Sequence, residues 1–237
     1  YMNNRPIGPL VANWTPPAAP RPMTLEGRYC RLEPLEAERH AALLFNAFEG
    51  QDYLYDYIPA GPFHSAAQYH RWVKEVTSDE ASLFFAVYDV NKQAYLGVLS
   101  FLRIAPDAGS IEVGNINFSE GMQRSPASTE AVYLLMQWAF DAGYRRFEWK
   151  CNALNAPSRR AAQRLGFSYE GIFRQALVVK GRNRDTAWFA MIDAEWPALK
   201  EAYRVWLDPA NFDQAGQQRE RLGDLTSLVR AASDPSL

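Results

Sequence analysis

The stretch "SIEVGNINFSEGMQRSPASTEAVYLLMQWAFDAGYRRFEWKCN", Ser110–Asn152, decides the fold. Its opening is rich in β-branched and aromatic residues, and 109–119 reads as a strand. Ser125 followed by Pro126 is a good N-cap and first-turn pair. Ala131, Leu134, Leu135, Trp138 and Ala142 then fall on one helical stripe, which Gly143 ends. Residues 145–152 return to strand. Strand, helix and strand in that order demand a crossover, and hence a parallel pair inside a mixed sheet.

Upstream, "RYCRLEPL" alternates and reads as a strand at 28–35. Two helices follow. One carries Ala41, Leu44, Phe45 and Phe48 and stops at Gly50; the other starts at a Ser65 N-cap and repeats Tyr69, Trp72, Val73 and Val76. Strands at 82–90 and 93–105 meet at Asn91-Lys92, which fits a tight hairpin, and with 109–119 they suggest an antiparallel meander. Downstream, "NAPSRRAAQRLGF" reads as a short helix ending at Gly166. "SYEGIFRQALVVKGRNRDTAWFAMID" reads as two strands joined by a turn at 181–184. A helix begins near Pro197. The class is α/β (α+β), with order β-α-α-β-β-β-α-β-α-β-β-α. The domain spans 28–207, after a proline-rich arm, 1–27, that favours extended chain. A tail, 208–237, carries one short amphipathic helix with Leu222, Leu225 and Leu228.

The totals narrow the function. The chain has 237 residues, 48% of them hydrophobic, enough for a sizeable core. Net charge is −2 without a basic block, so nucleic acid is not an expected partner. No apolar run reaches the roughly 18 residues of a membrane span, and no signal peptide opens the chain. A cytoplasmic protein without membrane or metal partners is expected. Cys30 and Cys151 are too far apart in sequence for a disulfide framework or zinc motif and read as reduced thiols. His40, His64 and His70 share no ligand spacing.

The order of elements resembles the GNAT superfamily of acyl-CoA-dependent N-acyltransferases, and more closely its ribosomal-protein N-terminal and spermidine acetyltransferase branch. The resemblance covers roughly residues 24–200. "RYCRLEPL" is similar to the family's opening strand. "SIEVGNINFS" is similar to its cofactor-flanking strand, with an acidic residue two before a glycine. "QRSPASTEA" stands where the family has its Gln/Arg-x-x-Gly-x-Gly/Ala loop. "NAPSRRAAQRLGFSYEG" matches its Asn-x-x-Ser helix followed by Leu-Gly-Phe and Glu-Gly.

That resemblance implies a site. Acetyl-CoA would be the co-substrate and a small-molecule or peptide amine the acceptor, attacked directly; a homodimer is compatible with it. Strand 110–119 would splay from 145–152, and amides around Asn117 and Phe118 would meet pantetheine. Gln123, Arg124, Ser125, Pro126, Ala127, Ser128 and Thr129 would hold the pyrophosphate, because free amides at a helix N-terminus attract anions whatever the side chains. Both family glycines are missing: Pro126 stands at the first and Ser128 at the second. The hydroxyls of Ser125, Ser128 and Thr129 can add donors. Asn155 would contact the pantetheine arm, and Ser158, one turn on, would protonate the leaving thiolate. Glu112 is the candidate base, acting through an ordered water. Tyr169 and Glu170 lie near the expected acceptor groove, and the aromatic stretch 53–63 rims it. The glycine-free loop also fits a catalytically silent acyl-CoA-binding protein of the same fold.

Overall fold

The computed structural model describes residues 6–237; the first five residues of the expected arm lie outside them. A single eight-stranded sheet runs in the order β1-β2-β3-β4-β5-β6-β8-β7. Its strands are β1 (Leu25–Glu26), β2 (Cys30–Pro34), β3 (Leu83–Asp89), β4 (Ala94–Ala105), β5 (Ser110–Phe118), β6 (Arg146–Asn152), β7 (Ser168–Val179) and β8 (Arg182–Ile192). The helices are α1 (Ala37–Ala47), α2 (Ala66–Ser78), α3 (Pro126–Asp141), α4 (Ala156–Arg164), α5 (Trp196–Trp206) and α6 (Leu222–Ser227). The expected order is present, with β1 added at the start and α6 as the short helix of the tail.

All neighbouring strands are antiparallel except β5 and β6, which α3 connects as a parallel pair. Their register runs from Ser110 opposite Arg146 to Val113 opposite Trp149 and goes no further. Both strands continue, β5 to Phe118 and β6 to Asn152. β5 stays on β4, where Asn117 faces Val98. The sheet therefore opens between β5 and β6. A bulge marks the opening: Asn115 and Ile116 together face Leu99, and Asn115 takes φ +50. The inserted residue turns the strand and breaks the ladder.

Period two sorts the strand side chains onto two faces. On one face Phe85, Phe101, Ile111, Phe147, Trp149 and Phe189 pack against α3, α4 and α5. Phe101 is fully buried between Phe85, Trp138 and Phe147, and removing such a ring from water contributes about 1.5–3 kcal/mol. On the other face α1 and α2 cover Phe84, Ala86 and Val98. They leave the same face of β5, β6 and β8 to Glu112, Glu148, Lys150 and Trp188.

Two connections differ from expectation. The β3–β4 hairpin is a four-residue loop, because Asp89 pairs with Ala94 and its carboxylate accepts from the Lys92 amide. The β7–β8 turn is only Lys180-Gly181, both with positive φ, as a tight primed hairpin requires. Arg182, Asn183 and Arg184 therefore belong to β8. The tail is part of the fold: α6 and the residues after it pack on α4, α5 and the start of β7. The arm runs over the α3–β6 corner, where Ala18 O accepts from the Tyr144 hydroxyl and Arg145 covers the Trp14 ring. No helix among the described residues is long and apolar enough to cross a membrane.

Candidate active site

The opening between β5 and β6 ends at the first turn of α3. Ser125 is the N-cap: its hydroxyl oxygen accepts from the Ser128 amide at 3.2 Å, and the hydroxyl donates to Met122 O at 2.6 Å. Pro126 sits at the first helical position, where its missing N–H breaks no helical bond. The amides of Arg124, Ser125 and Ala127 have no partner among the described residues. Arg124 is exposed, in no ion pair among the described residues, and takes φ +57.

The hydroxyls are placed otherwise than the sequence suggests. Ser128 Oγ donates back to Ser125 O at 2.9 Å. Thr129 is 1% exposed and accepts from Arg164 Nη2 at 2.6 Å. Ala127, Thr129, Glu130 and Ala131 are all buried, because the start of α3 is covered on nearly every side. Any anion held here meets backbone amides and Arg124 first. Gln123 Nε2 reaches back to Phe118 O at 2.9 Å, and Asn117 is largely buried.

Asn155 and Ser158 lie together at the start of α4. Asn155 Oδ1 caps the helix on the Ser158 amide at 3.1 Å. Ser158 Oγ accepts from Trp149 Nε1 at 3.1 Å. Nearby Cys151 is a buried core thiol: burial pushes its pKa up, against the opposing pull of Ser158, Arg184 and Arg159.

Glu112 sits one residue before the parallel register ends, and its carboxylate is already engaged. Arg103 Nη1 reaches both oxygens, at 2.9 and 2.8 Å, and Lys150 Nζ lies 2.8 Å away. The contacts continue across the open face as a ladder of alternating sign. Lys150 meets Glu148 at 2.6 Å, Glu148 meets Arg146 at 2.6 Å, and Arg146 forks onto Glu170 at 2.7 and 2.5 Å. The Lys150 side chain is 4% exposed, and its Nζ lies 3.8 Å above the centre of the Trp188 ring. Burial alone would raise the Glu148 pKa; hydrogen bonds and charge from Arg146 and Lys150 outweigh it and set it below the ordinary value. Glu112, the candidate base, is thus a carboxylate held by two cations. Glu170 belongs to the same ladder. Tyr169 turns to the helix side, edge-on to Phe189, with its amide on Ala232 O.

Sequence reasoning missed this ladder. Its signal was present in "RFEWKCN": Arg146, Glu148 and Lys150 alternate in sign at every second position, on one face of a central strand. The tip of the β7–β8 hairpin is also tied down. Lys180 Nζ donates to Tyr55 O at 2.8 Å and Ala60 O at 3.1 Å. The other end of that loop meets the β5–α3 turn, where Gln51 Oε1 accepts from the Glu120 amide and the Tyr53 hydroxyl donates to Glu120, both at 2.8 Å. Residues 51–60 therefore form a strap from the β5–α3 turn to the β7–β8 hairpin.

The model of the acetyltransferase (GNAT) domain matches residues 30–168. The chain belongs to the GNAT family of acetyltransferases. A solved GCN5-related N-acetyltransferase from Brucella melitensis is 48% identical, with TM-score 0.89, over 91% of this chain and 99% of that one. A probable GNAT acetyltransferase from Chromobacterium violaceum is 40% identical, with TM-score 0.77, over 82% and 98%. The Salmonella typhimurium acetyltransferase that modifies the N-terminal serine of ribosomal protein L7/L12 shares the fold at 21% identity and TM-score 0.62, over 72% and 99%. No curated protein sequence matches. Against the GNAT pattern, the glycine-free loop is this chain's clearest departure. No cluster of His, Cys, Asp or Glu among the described residues has the geometry to hold a metal ion.

Proposed function

We propose that this GNAT chain is an acetyl-CoA-dependent N-acetyltransferase acting on a primary amine: a protein N-terminus, a polyamine or another small amine. The observation that carries the reading is the parting of β5 from β6 after Val113, which leads to the unpartnered amides at the start of α3. Acetyl-CoA supplies the activated acyl group. The amides of Arg124, Ser125 and Ala127, with the Arg124 charge, bind its pyrophosphate. The freed edge of β5 near Asn117 and Phe118, with Asn155, aligns the pantetheine arm.

The amine attacks the thioester carbonyl directly, forming the amide C–N bond as the C–S bond breaks. Glu112 receives the amine proton through a water, oriented by Arg103 and Lys150. Ser158 gives a proton to the departing thiolate, its hydroxyl oxygen fixed by the Trp149 indole. The open face and the strap over it accept the amine. The reaction runs in the cytoplasm.

Calorimetric titration with acetyl-CoA, followed by thiol release with peptides, polyamines and aminoglycosides, tests the reading. No binding at millimolar acetyl-CoA would overturn it. A second reading, a catalytically silent acyl-CoA binder, is favoured by the glycine-free loop and the engaged Glu112 carboxylate; binding without thiol release would support it.

A further inference from the structure

The C-terminal segment is stitched to α4, the helix of Asn155 and Ser158. Arg159, the residue after Ser158, forks onto Asp234 with both contacts at 2.6 Å. Both residues are buried, at 7% and 4% exposure. The third guanidinium nitrogen donates to Ala153 O at 2.9 Å, in the turn that enters α4. Gln163 accepts from Arg230 and from the Asp234 amide, and Arg164 O accepts from Thr226. On its other side α4 reaches α3 through Arg164 and Thr129.

α4 is nine residues long, too short to hold itself. Its orientation comes from these contacts. A buried ion pair contributes little net stability compared with well-packed apolar residues, but a bidentate carboxylate–guanidinium pair fixes distance and angle together. Asp234 thus sets where the first turn of α4 stands.

We propose that Asp234 is a positioning residue for the cofactor cleft: through Arg159 it fixes the turn that presents Asn155 and Ser158. The inference rests on the acetyl-CoA reading of that cleft. Asn155 and Ser158 stand beside the pantetheine end, whereas the nucleotide end rests on α3. Two ligands therefore separate a local effect from a general loosening.

The full chain and Asp234→Asn are titrated with acetyl-CoA by calorimetry, and with adenosine 3′,5′-bisphosphate by NMR at millimolar concentration. Acetyl-CoA binding weakens about tenfold or more, since small misplacements carry large penalties, and the nucleotide affinity is unchanged. The double variant Arg159→Met/Asp234→Met leaves no buried charge; it stays folded and shows the same selective loss, and Asp234→Glu recovers part of it. Equal weakening of both ligands, or wild-type acetyl-CoA affinity in Asp234→Asn or the double variant, would overturn the proposal. A wild-type chain that binds neither ligand removes the acetyl-CoA reading and this inference with it.

Discussion

Glu112→Gln separates two roles that the geometry superimposes. The substitution keeps the side chain's shape and withdraws one negative charge from between Arg103 and Lys150. Lys150 is 4% exposed, so its ammonium has little water to turn to; it keeps Glu148 and the Trp188 ring. Breaking a buried pair costs about 3–5 kcal/mol when a charge is left uncompensated. Here the charge is partly compensated, and Arg103, with half its side chain exposed, turns to solvent and adds little. The expected loss of stability is about 2–3 kcal/mol. Urea denaturation followed by tryptophan fluorescence measures it. If Glu112 also takes the amine proton, turnover of an active amine falls at least about 100-fold, with acetyl-CoA affinity little changed. Lost stability with unchanged turnover per folded molecule would remove Glu112 from proton transfer and leave it a structural rung. Unchanged stability would refute the argument that the buried ladder depends on its charge.

Other perturbations follow from neighbouring contacts. Glu130 accepts from the amides of Arg28, Tyr29 and Cys30 at 2.9, 2.6 and 2.8 Å while 4% exposed; Glu130→Gln turns an amide N–H₂ toward donors and should lower stability by about 2–3 kcal/mol in urea, and a change under about 0.5 kcal/mol would show that the clasp is dispensable. Ser128→Asp adds a negative charge to the first turn of α3. It should leave the melting temperature unchanged or raised and weaken acetyl-CoA about tenfold by calorimetry; an unaltered dissociation constant would return the loop to the status of a connector. Lys180→Met frees the Tyr55 and Ala60 carbonyls, so amide exchange in 53–61 should speed up while β3 and β4 stay protected; unchanged exchange would show that the strap holds without it. His40 is fully buried, and burial holds its pKa below the ordinary histidine value. The unfolded chain then binds the extra proton, so His40 stabilises the fold fully above pH 6.5 and loses that contribution as pH falls below it. The drop in stability from pH 7.5 to 5.5 should shrink in His40→Gln; an equal drop would assign it elsewhere.

The parts legible in the sequence were those with a local signal. The Ser125-Pro126 cap, the α3 stripe and the flanking strands are written within about forty residues, and they fix the crossover. Glu130 stands within "QRSPASTEA", but its partners lie some hundred residues upstream, and nothing in that segment points to them. Asp234 was equally opaque. A carboxylate in a polar tail reads as solvated, and only the path of the chain brings it under Arg159. Thr129 shows a subtler limit: its place in the loop suggests a donor for the cleft, whereas the packing of α4 on α3 buries its hydroxyl under Arg164. β1 has two residues and no periodicity of its own.

The strap from Glu120 to Lys180 bears on how such an enzyme is re-engineered. Loops that rim an acceptor groove invite transplantation between relatives. Here the transplant would carry two moorings, one on the turn that feeds α3 and one on the β7–β8 hairpin. A graft lacking Gln51 and Tyr53, or facing a hairpin without Lys180, would loosen the β5–α3 turn in the same stroke as the β7–β8 hairpin; on the acetyl-CoA reading these flank the donor and the acceptor. Selectivity and co-substrate affinity would then shift together, and a screen scoring only new acceptors would attribute to recognition what began as a slackened tether.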